Sequence, residues 1–109
     1  RGSITNLSPT TFTPEQLIVG VREGIVTELY DFFDLFPAPL RDGVRSLVGS
    51  GNAIRNNPAL KTAFARRFGL PMRVPANREE TSFGAALLAG VASGVIPDRA
   101  RAGDLVRYE

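Results

Sequence analysis

The chain is predicted to fold as an α/β structure, in the order helix, strand, helix, strand, helix. Three observations carry that expectation. A helix-start signal at Thr13-Pro14-Glu15-Gln16 opens a long apolar stripe, and two short apolar stretches, Val44–Val48 and Met72–Val74, read as strands. Between and after them lie stretches with helical spacing and clear stop signals. Strands that alternate with helices favour a parallel sheet covered by helices.

Taken in order, residues 1–12 show no helical period. Thr13 then suits a cap, Pro14 the first helical position, and Gln16 the far side of a capping box. Leu17, Val21, Ile25, Leu29, Phe32 and Phe36 recur three and four apart, which predicts an amphipathic helix ending before Pro37. Gly20 and Gly24 sit one turn apart on it and lower its helix propensity by roughly 1 kcal/mol each. Their retention predicts a close neighbour. Pro37-Ala38-Pro39 breaks the chain before the first strand. After the stretch Gly49–Asn56, Asn57-Pro58 caps a second helix with Leu60, Phe64 and Phe68 on one ridge. Gly69 suits its left-handed C-cap, and Pro71 stops any continuation. A final helix is expected from about Glu80 to Ser93, crowded with small residues and closed by Gly94, and residues 97–109 read as a polar tail. Two strands alone do not make a stable sheet, so further strands are expected from chain outside this sequence.

Composition removes several chemistries. The 109 residues contain neither histidine nor cysteine, which excludes a Cys/His zinc site, a thiol nucleophile, a disulfide and a Ser-His-Asp triad within the chain. The net charge is only +2, with Arg66-Arg67 the one adjacent basic pair, so no nucleic-acid surface is expected. The longest mostly apolar run, Phe83–Ile96, is too short and glycine-rich to span a bilayer, and no signal peptide is visible. A cytoplasmic protein without membrane partner is the expectation.

The stretch Val48-Gly49-Ser50-Gly51-Asn52 fits neither common phosphate fingerprint. A dinucleotide turn places a third glycine where Ile54 stands, and a P-loop needs a lysine nearer than Lys61. Its setting still suits a nucleotide: a strand end, small residues that let a ligand approach, and a helix start beyond. Asn52, Asn56 and Asn57 could hydrogen-bond a base or phosphate. The alternative is that Asn57 merely caps a helix and the glycines merely turn the chain.

Further stretches carry a resemblance. Glu79-Glu80-Thr81-Ser82-Phe83-Gly84-Ala85-Ala86-Leu87-Leu88-Ala89-Gly90 resembles the E-x-x-x-x-G-A-A-x-L-A-G helix of FGGY carbohydrate kinases. Gly49-Ser50-Gly51 resembles that family's adenosine-binding turn, and Phe68-Gly69-Leu70-Pro71-Met72 its F-G-L-P-V link. Arg1–Leu7, Gln16-Leu17 and Arg22-Glu23-Gly24-Ile25 resemble the second signature and the elements around it, with departures at Asn6 and Gly20. Within the family, the wording of the turn and of Arg1–Thr5 is most similar to the sedoheptulokinase branch; Asn57-Pro58 does not separate that branch from the ribulokinases.

The resemblance implies the C-terminal portion of a ribonuclease H-like, actin/hexokinase-like ATPase domain. It implies an ATP-dependent kinase in which the sugar hydroxyl attacks the γ-phosphate. Gly49, Ser50, Gly51, Asn52, Asn56 and Asn57 are then the candidates for holding adenosine, the particular asparagine remaining open. The catalytic aspartate, the sugar pocket and most of the contacts to ATP and Mg²⁺ fall to an N-terminal portion of the same kinase, so this chain alone is expected to be inactive and to lack residues at both ends. No catalytic or metal-binding residue is assigned here, and most carboxylates read as solvated charges. Glu79 and Glu80 open the final helix, where acidic groups favour the helix dipole. Sedoheptulose is the expected sugar, with ribulose, xylulose or glycerol as alternatives and a homodimer as a further expectation. A non-enzymatic α/β interaction module is the reading from a different class.

Overall fold

The computed structural model describes residues 3–109. Arg1 and Gly2, the first residues of the stretch that resembles a family signature, lie outside the described residues. The elements follow the order α1 (Pro14–Asp34), α2 (Ala38–Gly43), β1 (Leu47–Val48), α3 (Asn52–Arg55), α4 (Pro58–Phe68), β2 (Met72–Arg73), α5 (Glu80–Ala92) and α6 (Arg99–Asp104). The mixed α/β character matches the sequence expectation. The structure adds three short helices, α2, α3 and α6, that the pattern did not reveal.

Capping chemistry sets the long helices. Thr13 Oγ1 accepts from the Gln16 amide at 3.3 Å to start α1, and Asn57 Oδ1 accepts from the Leu60 amide at 3.0 Å to start α4. Gly69 closes α4 in the left-handed region at φ 64°. In the chain's last part, Asp98 accepts from the Arg101 amide at 2.8 Å and starts α6 inside the stretch read as a polar tail.

The expected strand Val44–Val48 shortens to Leu47–Val48. Its first residues follow directly on α2, whose last turn is closed by the Val44 amide on the Arg41 carbonyl at 3.0 Å. β1 and β2 pair in parallel, Leu47 opposite Met72 and Val48 opposite Arg73, with α3 and α4 as the connection. The chain end returns to this pair. Tyr108 bridges Pro75 in antiparallel sense, and the Glu109 amide donates to the Val74 carbonyl at 2.8 Å.

The core is small. Val26 of α1 meets Leu60, Ala63 and Phe64 of α4, with Leu47, Ile54, Phe68 and Met72 packed at its edge. Tyr30 and Phe33 extend it, their rings lying 5.1 Å and 5.3 Å from that of Phe68. At the rim, both Glu23 oxygens accept from Arg66, tying α1 to α4.

The stripe that identified α1 is not the face that α1 buries here. Of that stripe Val21, Ile25, Leu29, Phe32 and Phe36 are exposed and Leu17 is half-buried, while Val26, outside it, is 1% exposed. The helix was correctly legible, but its face toward α4 is a second one, carrying Val26, Tyr30 and Phe33. The expected close neighbour at Gly20 and Gly24 is likewise missing: a Cβ at either would meet no atom within 4 Å. Both belong to surface that no described element covers.

Candidate functional site

The parallel strand pair determines where the glycine stretch lies. The Leu47 amide donates to the Pro71 carbonyl at 2.9 Å and the Gly49 amide to the Arg73 carbonyl at 3.0 Å, so pairing runs to the first glycine. Beyond it Gly49–Gly51 turns the chain into α3. β2 leads through Val74–Glu79 to the start of α5, so both carboxyl ends open on the same side. This is where open parallel sheets carry ligands.

The two glycines of the turn differ. Gly49 is buried, and a Cβ there would stand 2.7 Å from Ile54 Cγ2 and 3.1 Å from Met72 Sδ. Its small size serves packing. Gly51 has φ 83° and ψ 165°, a conformation close to exclusive to glycine, and the space beside its Cα is open. Ser50 between them is exposed.

The asparagines take unequal positions. Asn52 is the first residue of α3 and Asn56 its C-cap; both are exposed. The Asn56 amide bonds the Asn52 carbonyl at 2.9 Å, so backbone geometry keeps the two one turn apart. Asn57 spends its Oδ1 on the α4 cap. All three are exposed, and Asn57 differs from Asn52 and Asn56 in that its side chain caps a helix.

The residue that composition and spacing missed is Arg55. Its side chain is 12% exposed, and Nη2 donates to the Pro75 carbonyl at 2.7 Å, the Asn77 carbonyl at 3.2 Å and Glu80 Oε1 at 2.9 Å. Glu80 Oε1 also accepts from the Gly51 amide at 3.2 Å. The Gly51 N–H and then the Arg55 guanidinium hold the Glu80 carboxyl below the usual carboxylate range, so it is ionised near neutrality. Glu109 lies 3.6 Å from Arg55 Nη1. The available signal was an arginine enclosed between a glycine turn and an asparagine pair, with a paired acid at a distant helix start.

The chemistry of the site follows from these bonds. The Gly51 N–H is occupied by a carboxylate and is therefore not a donor for phosphate, and beside it two carboxylates, Glu80 and Glu109, face the one guanidinium of Arg55. The turn suits the uncharged, hydrogen-bonding part of a ligand better than its anionic part. Among the described residues no three His, Cys, Asp or Glu side chains gather into a group that could hold a metal ion. No helix among the described residues is long and apolar enough to cross a membrane.

Comparison with known proteins defines the class. Residues 1–93 match the C-terminal domain of the FGGY family of carbohydrate kinases, and the chain belongs to that family. The family implies the actin/hexokinase-like ATPase fold, with which the mixed α/β structure agrees in class. Among individual proteins, the chain is 31% identical over 99 residues to the glycerol kinase of Bacillus subtilis (strain 168), covering 91% of this chain. It spans 20% of that relative's length. No solved structure matches the chain.

Proposed function

We propose that this chain is the adenosine-holding, C-terminal part of an ATP-dependent sugar kinase. The observation that carries the reading is the turn at the joined strand ends, where Gly51 has the backbone of a glycine-only conformation and open space on its side-chain face. Gly49, Ser50 and Gly51 present the backbone against which the nucleoside lies. Asn52 and Asn56 supply side-chain hydrogen bonds to base or ribose, and Asn57 orients the following helix through its cap. The γ-phosphate, Mg²⁺, general base and sugar pocket belong to an N-terminal portion of the same kinase. Phosphoryl transfer depends on several such parts positioned together, so this chain by itself is inactive.

A ketose such as sedoheptulose is the proposed substrate, supported by the wording of the glycine turn. Glycerol is the second reading, favoured by the similarity to the Bacillus subtilis protein. The absence of cysteine from the sequence supports a reducing, cytoplasmic setting. The test is titration calorimetry of the full-length protein with ADP, followed by phosphorylation assays on sedoheptulose, ribulose, xylulose and glycerol. ADP binding that Gly51→Val abolishes, with turnover of one of these sugars, is the expected result. Gly51→Val places a branched side chain both in the ligand's space and in a strained backbone, so Asn52→Ala, which removes one proposed ligand bond without either effect, serves beside it. Full ADP affinity in both variants would remove the site assignment, and a wild-type protein that binds no nucleotide would favour the interaction-module reading.

A further inference from the structure

We propose that Arg55 and Glu80 form a clasp that holds the glycine turn in its nucleoside-accepting shape. The inference rests on the adenosine reading above. Gly51 occupies a sparsely populated backbone conformation, and such conformations persist only where the surroundings over-determine them. From its own segment the turn receives the strand pairing at Gly49 and the first helical bond of α3, Arg55 N–H to the Gly51 carbonyl at 3.0 Å. Neither fixes the peptide between Ser50 and Gly51. Among the described residues, the group that bonds that peptide is Glu80, 29 positions along the chain, whose Oε1 accepts its N–H.

A carboxylate carried on a helix end would swing without support. Arg55 supplies the support. Its guanidinium donates to two backbone carbonyls on the β2–α5 connection and to the same oxygen that meets Gly51, so the acid, the connection and the turn form one bonded unit. All three bonds leave Nη2, whose two N–H groups they share, while Nη1 stands 3.6 Å from Glu109. A lysine ammonium at the end of a flexible stem would not reproduce this two-sided placement of a planar guanidinium. The pair lies mostly out of solvent, with side chains 12% and 22% exposed, so water competes poorly for these bonds. Both residues act on the ligand through the turn: they are positioning residues. Glu80 also keeps the Gly51 N–H from serving a phosphate oxygen, which directs the nucleoside end of ATP here.

The test uses the full-length protein and three variants, Glu80→Ala, Arg55→Lys and Glu80→Gln. Glutamine keeps a carbonyl oxygen for the Gly51 amide and serves as the rescue. Hydrogen exchange at the Gly51 amide is read without nucleotide, and ADP affinity by calorimetry. Glu80→Ala is expected to speed Gly51 exchange and weaken ADP about tenfold, the loss of one charge-assisted hydrogen bond. Arg55→Lys moves both readouts in the same direction, and Glu80→Gln restores most of each. In turnover, KM for ATP rises while KM for sugar is unchanged. Folded variants with wild-type ADP affinity and wild-type Gly51 exchange overturn the clasp, and the adenosine reading survives because the wild type binds ADP. A wild type that binds no ADP overturns that reading instead, and with it any role of the clasp toward a nucleoside.

Discussion

Gly49 and Gly51 stand two residues apart and are glycines for different reasons. Gly49 is enclosed by Ile54 and Met72, and a methyl group there must displace one of them. Gly49→Ala is therefore expected to destabilise the protein by about 1–3 kcal/mol, the usual result of overpacking, with the urea midpoint as the measurement. A midpoint equal to that of the wild type would show that Ile54 and Met72 yield freely. Gly51 has room for a methyl group but a backbone that resists one. Spacing alone treated the two as a pair. Their difference depends on what stands beside each Cα, which a sequence does not carry. Arg55 was invisible for the same reason, since the acceptors of its side chain lie 20 to 25 positions away.

The elements show where local chemistry suffices. Thr13, Asn57 and Gly69 end or begin helices through bonds that span three or four residues, and each was legible as a cap. The Asn57 cap is also the bland alternative for a candidate ligand residue. Asn57→Ala is expected to lower stability by about 1 kcal/mol, read from thermal unfolding, with ADP affinity reduced less than in Asn52→Ala. Equal losses of affinity in the two would place Asn57 among the ligand contacts. The short elements α2, α3 and α6 escaped because their 4 to 6 residues show no periodicity. The first strand shrank because Val44 closes the preceding helix instead of pairing.

At the scale of the whole molecule the chain is elongated. Its radius of gyration is 18.0 Å over extents of 62 × 32 × 27 Å, against about 13 Å expected for a compact domain of this length. Few residues are buried, while Ile18, Ile25, Leu29, Phe32 and Leu35 line one flank of α1 in the open. Exposed apolar residues gathered on one flank favour association with another apolar surface. The 109-residue chain produced alone is expected to self-associate or to bind an apolar dye strongly, and replacing Ile25 and Phe32 with lysine is expected to suppress both. Sedimentation velocity measures the first effect. A monodisperse monomer with little dye binding would show that these residues find cover within the chain.

The sequence by itself determined the α/β class, the long helices with their caps, the place of the glycine turn and, through the run of motifs, the FGGY resemblance. These rest on neighbours within a few positions, where spacing and side-chain chemistry act directly. The tertiary structure alone decided which face of α1 is buried and which of the two glycines is open. It also decided that an arginine and a glutamate from separate segments meet at the turn. The reason is physical: burial and long-range hydrogen bonds depend on which distant surfaces come together, and an apolar stripe states only that some surface must.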